Sequence, residues 1–199
     1  MSSERRRQIL SAALECFNQA GIEAASIQDI SARSGASVGS IYHHFGNKEG
    51  LAQSLLAEGL RSNAEELART LEHVEGAQAG INAVVTKLME WIARNPEWAR
   101  YIYTASRSGV GEEKYPALIE VNQFYNRLIN EYFQPYRQAG VFRELPEACF
   151  APLVLGPVHY FARRWLNNGL HGPFLEFAQH FSAAAWRAVA NESHSEPPP

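Results

Sequence analysis

Residues 25–51 read ASIQDISARSGASVGSIYHHFGNKEGL, and this stretch decides how the first part of the chain folds. Apolar residues recur in it at the spacing of one helix face on either side of Gly35: Ile27, Ile30, Val38 and Ile41. Ser26 and Ser37 precede the two apolar patterns, and serine is a preferred N-cap because its hydroxyl accepts a hydrogen bond from the first helical turn. The stretch therefore predicts two short helices joined by a tight turn, which is a helix-turn-helix.

The outer face of the second predicted helix has an unusual composition: Ser37, Gly39, Ser40, Tyr42, His43 and His44. A solvated helix face usually carries glutamate, lysine and glutamine, whereas several of these residues are poor helix formers. Their hydroxyl groups suit phosphates and base edges, and a glycine permits close approach to a groove. Lys48 adds a positive charge at the start of the next helix, where the helix dipole also favours an anion. This face is therefore a candidate nucleic-acid surface.

A basic run precedes the first apolar helix pattern. Arg5, Arg6 and Arg7 form an arm that could follow a phosphate backbone or enter a minor groove, or could be a solvated tail. The whole chain has a formal net charge of −3, so a nucleic-acid surface has to be local.

Residues 25–51, together with an earlier pattern, resemble the signature of TetR-family repressors. That earlier pattern consists of Ile9, Leu10, Ala12, Ala13, Phe17 and Gly21. The resemblance implies a three-helix DNA-binding head on a larger helical body that forms a homodimer and binds an inducer. It also implies a repressor that reads double-stranded DNA at a palindromic operator.

The resemblance also implies roles for individual residues. Phosphate contacts would fall on Ser26, Ser37, Tyr42, His43 and Lys48. Gly39 and Ser40 would lie nearest the bases, at positions where a lysine, arginine or threonine sometimes reads sequence. Direct base readout would then be sparse, with more weight on DNA shape.

Helical periodicity continues through the rest of the chain, and no β-strand alternation is evident. We therefore expect an all-α fold with a DNA-binding domain over 1–50, a ligand-binding and dimerisation domain over 51–190, and a disordered tail over 191–199. Gly21 should end the first helix, and the last helix should open at Gly172-Pro173.

The body is rich in aromatic residues with polar tips, a composition that suits either an ordinary core or an apolar pocket for a small molecule. The candidates for a pocket lining are Trp91, Trp98, Tyr101, Ile102, Phe124, Tyr125, Leu128, His159 and Tyr160. An aromatic or apolar effector is the expected ligand, and its identity stays open.

The last two predicted helices carry aromatic and small residues that suit a four-helix bundle between two copies of the chain. The candidates for this interface are Val158, Phe161, Trp165, Phe174, Phe177, Phe181, Ala184 and Ala188. Two heads related by a two-fold axis would read a palindrome.

Other functions lack a sequence signal. No phosphate loop, nucleophile elbow or pair of histidines at i, i+4 occurs, so we expect no catalytic residue, cofactor or metal site. His43 and His44 are adjacent and point about 100° apart on a helix, which disfavours a shared metal. Cys16 and Cys149 are isolated, and no secretory leader or membrane-spanning run is evident, so a cytoplasmic protein is expected. A DNA-binding protein without an inducer and a small helical enzyme remain alternatives.

Overall fold

The computed structural model describes residues 2–105, 116–168 and 172–191. Within these ranges it contains α-helices, one 3₁₀ turn and a single isolated β-bridge, which confirms the all-α prediction. The α-helices are α1 Ser2–Ala24, α2 Ile27–Ser34, α3 Val38–Phe45, α4 Lys48–Leu71, α5 Ala77–Arg94, α6 Pro96–Ala105, α7 Pro116–Gln138, α8 Glu147–Asn167 and α9 Ala178–Val189. The predicted tail beyond residue 191 lies outside the described residues.

The chain divides into two compact units. The first comprises Met1–Ser62 and Asn95–Gln123, and the second comprises Asn63–Arg94 and Phe124–Pro199. The first unit thus contains the whole segment 1–50 and also includes residues 51–62 and 95–123.

The first unit has one hydrophobic core that α1 and the two short helices share. Ile9, Ile30 and Ile41 are completely buried, and Leu51 and Leu55 of α4 are buried with them. Tyr101 of α6 joins this cluster. Burial of each large apolar side chain contributes roughly 1.5–3 kcal/mol, so these contacts hold α2 and α3 in place despite their length of eight residues each.

The second unit packs α5 against both α8 and α9. Val85, Met89 and Val158 are fully buried in it, and Phe133 is nearly so. On α7, the Tyr132 hydroxyl lies within hydrogen-bonding distance of the carbonyls of Val74 and Gly76, at 3.0 and 3.1 Å. These contacts attach α7 to the α4–α5 connection.

One element prediction is confirmed and one needs correction. Gly21 ends the first helical run, because its φ of 82° and ψ of 163° interrupt the helix, and one further turn then runs to Ala24 within α1. The last helix does not open at Gly172-Pro173, because a 3₁₀ turn over Leu175–Phe177 precedes α9 and Phe174 lies before both.

None of the helices in the described ranges is long and apolar enough to cross a membrane.

Candidate nucleic-acid interface

Two serine caps define the helix-turn-helix. The Ser26 Oγ accepts a hydrogen bond from the Asp29 backbone N–H at 3.0 Å and donates to the Asp29 carboxylate at 2.7 Å. The Ser37 Oγ accepts from the Ser40 N–H at 3.1 Å. These bonds satisfy N–H groups that the first turn of a helix otherwise leaves unpaired, so both predicted N-caps are confirmed.

The turn between α2 and α3 depends on Gly35. Its φ of 65° and ψ of 11° are left-handed, a conformation that glycine adopts without a Cβ penalty. The Ser31 hydroxyl donates to the Ala36 carbonyl at 2.6 Å, and the Ala36 N–H donates to the Ser34 Oγ at 3.2 Å. The turn is therefore fixed by local hydrogen bonds, and it sets the direction of α3.

The structure brings five of the predicted DNA-contact residues together on the outer face of α3. Ser37, Gly39 and His43 are exposed, Tyr42 is 46% exposed, and Ser40 is partly buried. We call these five residues the α3 outer face. A Cβ built on Gly39 would meet nothing closer than the Ser37 Oγ at 4.0 Å. Packing within the described part of the chain therefore does not require a glycine at this position.

The remaining predicted contact residues are engaged inside the chain. The Lys48 Nζ donates to the carbonyl oxygens of Glu23 and Ala25 at 2.6 and 3.1 Å, which places its charge at the C-terminal end of α1. Arg6 pairs with Glu58 at 3.2 Å, and its guanidinium lies 5.7 Å from the centre of the Phe45 ring. Lys48 and Arg6 thus hold α1 and α3 against α4 in addition to any role toward DNA.

The predicted basic arm is helical, because α1 already begins at Ser2. Arg7 pairs with Glu4 at 2.5 Å. Arg5 donates to the Gly35 carbonyl and to the Gln8 side chain, each at 3.3 Å, and therefore lies beside the turn. Arg5 and Arg7 remain exposed side chains on the first two turns of α1.

The predicted pocket residues are divided between the two compact units. In the first unit, Tyr101 donates its hydroxyl to the Ala52 carbonyl at 2.7 Å, and burial raises the pKa of its phenol. Trp98 and Ile102 pack so closely on Gly59 that an added Cβ would lie 2.8 and 3.1 Å from them. These three residues are packed within the first unit.

In the second unit, only Tyr125 among the predicted pocket residues contacts the cavity found there. Trp91 is buried in α5, Phe124 and Leu128 are half-buried on α7, and Tyr160 is 64% exposed on α8. His159 is half-buried, and burial, together with the nearby Arg163 charge, lowers its pKa.

That cavity has a volume of about 240 Å³ and lies between α5, α7 and α8. Its apolar walls include Ile81, Val84, Ile129, Phe133, Phe150 and Val154. Its polar groups are Tyr125, Asn126, Asn130, Arg137 and Glu147. Burial raises the pKa of Tyr125 to about 12, so its phenol stays protonated at neutral pH and can donate a hydrogen bond.

Sequence reasoning did not find most of this lining, although a signal exists. Asn126, Asn130, Phe133 and Arg137 recur on α7 at intervals of four, three and four residues, which places them on one helix face. These four residues include both polar and apolar side chains, as the lining of a ligand site does. They were missed because the candidates were chosen mainly among aromatic residues.

The predicted interface residues of α8 and α9 do meet. The centre of the Phe161 ring lies 5.4 Å from that of Phe174, 5.8 Å from that of Phe177 and 5.1 Å from that of Phe181. The Trp165 ring stacks on Phe174 with a centre-to-centre distance of 4.4 Å. We call these five residues the α8–α9 aromatic cluster. Val158 is fully buried within the chain, Ala188 is half-buried and Ala184 is exposed.

Comparison with known proteins shows what the first part of the chain is similar to. Residues 9–55 match the sequence profile of bacterial regulatory proteins of the tetR family, a range that includes all of α2, α3 and the start of α4. This match confirms the predicted resemblance of residues 25–51 to that family.

Individual relatives resemble different lengths of the chain. The transcriptional regulator BetI 1 of Chromohalobacter salexigens is 36% identical over 86 residues, which are 43% of each protein. The transcriptional repressor KstR2 of Rhodococcus jostii is 25% identical over 167 residues, which are 84% of this chain and 82% of the relative. A TetR-family regulator structure from Marinobacter aquaeolei has a TM-score of 0.81 at 19% identity, covering 96% of this chain and 98% of that one. That structure shares the fold.

Proposed function

We propose that this protein is a homodimeric transcription regulator, a repressor that binds a palindromic operator through α3 and leaves it when a small-molecule inducer binds the second unit. The observation that carries the proposal is the α3 outer face: serine, glycine, tyrosine and histidine side chains exposed on a helix whose glycine has no packing role. The family match over residues 9–55 supports the same conclusion.

The proposed DNA contacts follow from this geometry. Ser37, Tyr42 and His43 would contact phosphates, while Gly39 and Ser40 at the start of α3 would approach the bases. Arg5 and Arg7, exposed on α1, would add phosphate contacts that weaken with salt. Because the α3 outer face carries no arginine, lysine, asparagine or glutamine, direct readout would be sparse and DNA shape would contribute to specificity.

Ser26, Lys48 and Arg6 would act differently. Each already has a partner within the first unit, so its main contribution would be to fix the position of α2, α3 or α4. A phosphate could still accept a further hydrogen bond from the Lys48 ammonium, which has three donors. We therefore propose a positioning role for these residues, with phosphate contact as an addition.

The α8–α9 aromatic cluster supports the proposed dimer. Phe177 remains 38% exposed and the neighbouring Leu175 remains 45% exposed, which leaves apolar surface for a partner to cover. Ala184 is exposed on α9, where a small side chain permits a helix of the second copy to approach closely. In a two-fold assembly the same patch on each copy would meet itself.

The cavity between α5, α7 and α8 supports the proposed inducer site. It is mostly apolar with a few polar groups, as small-molecule sites are. Helix α4 has residues in both compact units, so a shift of its second half on ligand binding would change the position of its first half. In one conformation of the dimer the two α3 helices would have the spacing of the operator half-sites, and in another they would not. An inducer that binds more tightly to the second conformation would lower the fraction of dimers that can bind DNA.

A regulator without an inducer is the second candidate. It would bind the same DNA, and no small molecule would change that affinity. The cavity in the second unit favours the inducible protein.

The test is fluorescence anisotropy of the purified protein with DNA from the region flanking its own coding sequence. A scrambled duplex of equal length is the control, and both titrations are repeated at rising salt. We expect specific binding about a thousand-fold tighter than binding to the scramble, and steep loss of affinity with salt. Equal weak binding to both duplexes and to a randomised pool would contradict a sequence-reading function.

A further inference from the structure

The lining of the cavity between α5, α7 and α8 includes one positively charged side chain, Arg137, and neighbouring side chains fix its orientation. The Arg137 Nη1 donates to the Asn130 Oδ1 at 3.0 Å, and the guanidinium carbon lies 4.7 Å from the centre of the Phe150 ring. Phe150 is itself fixed by edge contacts with Phe133 and Phe142 at 5.7 and 5.1 Å. An aromatic wall and an amide thus orient the guanidinium before any ligand arrives.

Arg137 has donors left for a ligand. A guanidinium carries five N–H groups, and the Asn130 contact uses one of them. No carboxylate of residues 2–105, 116–168 and 172–191 forms an ion pair with it. Since a guanidinium matches a carboxylate in two parallel hydrogen bonds, the group that best complements this end of the cavity is a carboxylate.

The opposite walls are apolar, with Ile81, Val84 and Val154 among them. The cavity has a volume of about 240 Å³, and a second cavity of about 450 Å³ shares Arg137, Glu147 and Phe150 with it, so the smaller volume sets the size of the part of the ligand that it encloses. An engineered apolar cavity of about 150 Å³ takes up benzene, so this volume suits a body of about ten non-hydrogen atoms.

We propose that this cavity binds a small organic monoanion, a carboxylic acid with a compact apolar body, whose carboxylate is held by Arg137. The inference rests on the proposed inducer site and names its ligand class. Glu147 is the negative group that also lines the cavity, and it is exposed at the first residue of α8. It disfavours an anion nearby, so its neutralisation should improve binding of the acid.

The test compares three molecules with one body: phenylpropanoate, phenylpropanol and phenylpropylamine. Their dissociation constants are measured by titration calorimetry on the full chain without DNA. We expect phenylpropanoate to bind at least about ten-fold more tightly than the alcohol, as a charge-assisted hydrogen bond provides, and the amine to bind most weakly.

Two matched variants of the lining complete the test. Arg137→Gln should bring the acid to the affinity of the alcohol, and a melting temperature close to that of the wild type should show that the cavity is still folded. Glu147→Gln should retain the preference for the acid or increase it. Equal binding of acid and alcohol, tightest binding of the amine, an unchanged preference in Arg137→Gln, or no binding of any of the three would overturn the proposal.

Failure of this inference and failure of the regulator proposal are distinguishable. Calorimetry reports the ligand class without DNA, and anisotropy reports operator binding without ligand. If the acid binds in a way that depends on Arg137 but does not change operator affinity, the proposed ligand class is correct and the ligand is not an inducer.

Discussion

The two compact units place their candidate functional residues in opposite environments. In the first unit, the α3 outer face points away from the core, Gly39 has open space where a side chain would be, and Tyr42 is 46% exposed. In the second unit, Phe133 and Phe150 line the cavity and are also buried core residues. The residue types on an exposed face without a packing role are explained by a binding partner, whereas those in the interior are already explained by the packing of the core. Substitutions on the α3 outer face should therefore change binding without changing stability, whereas substitutions of Phe133 or Phe150 should change both.

The largest effect is expected in the second unit, from Phe181→Glu. This change puts a carboxylate among the aromatic rings 5.1 Å from Phe161, so the interface should fail and the free energy of unfolding should fall as well. Light scattering should give half the wild-type mass, and operator affinity should fall by about a thousand-fold because each head then binds alone. Gln179→Glu, on an exposed position of the same helix, is the control and should remain a dimer. A dimeric Phe181→Glu protein would place the interface elsewhere.

In the first unit, Lys48→Met sharpens the distinction between positioning and contact. Loss of the bonds to the Glu23 and Ala25 carbonyls should lower the free energy of unfolding by about 1–2 kcal/mol. Urea unfolding and anisotropy measured together should show stability and DNA affinity falling in parallel. Glu49→Gln, on the next and exposed residue, should leave stability close to wild type. Weakened DNA binding at unchanged stability would make phosphate contact the main role of Lys48.

Tyr42→Phe on the α3 outer face should behave in the opposite way. Removing the phenol oxygen from a half-exposed ring leaves packing intact, so the melting temperature should not change. Affinity for the operator and for the scrambled duplex should each fall about ten-fold, because a phosphate contact is independent of sequence. Unchanged affinity for both duplexes would remove Tyr42 from the interface.

The smallest effect is expected from the half-buried His159. Its pKa is lowered by burial and by Arg163, so the unfolded chain binds a proton more readily than the folded chain does. The resulting stability is fully present above the ordinary histidine pKa of about 6.5 and is lost as the pH falls below it toward the lowered folded value. Urea unfolding at about pH 7.5 and about pH 5.5 should show a smaller difference in His159→Gln than in the wild type. An equal difference would show that other groups cause the acid sensitivity.

The sequence predicted the first unit well because local chemistry fixes it. Ser26 and Ser37 cap their own helices, and Gly35 turns the chain within five residues of both apolar patterns. The contacts of Lys48 and Arg6 could not be predicted from the sequence. The Lys48 contact joins residues that are 25 positions apart, and the Arg6 contact joins residues that are 52 positions apart. Spacing along one helix does not indicate such partners.

The second unit was harder to predict for a related reason. The aromatic rings that were predicted for a dimer interface contact one another within the chain, and their role in a dimer stays a prediction. The cavity could not be located from the sequence because its walls come from three helices. In addition, the same aromatic residue types occur in hydrophobic cores and in ligand pockets. Tyr101 was a candidate lining residue, yet its hydroxyl bonds to Ala52 within the first unit.

Gly39→Ala tests the central claim, that the α3 outer face is shaped for a partner and not for the fold. The new methyl group has open space around it, so the melting temperature should stay the same or rise, since alanine favours a helix over glycine by roughly 0.5–1 kcal/mol. Anisotropy on the operator should show affinity at least about ten-fold weaker, because the methyl group prevents close approach to the base edges. Wild-type affinity and an unchanged sequence preference in a folded Gly39→Ala protein would contradict the account.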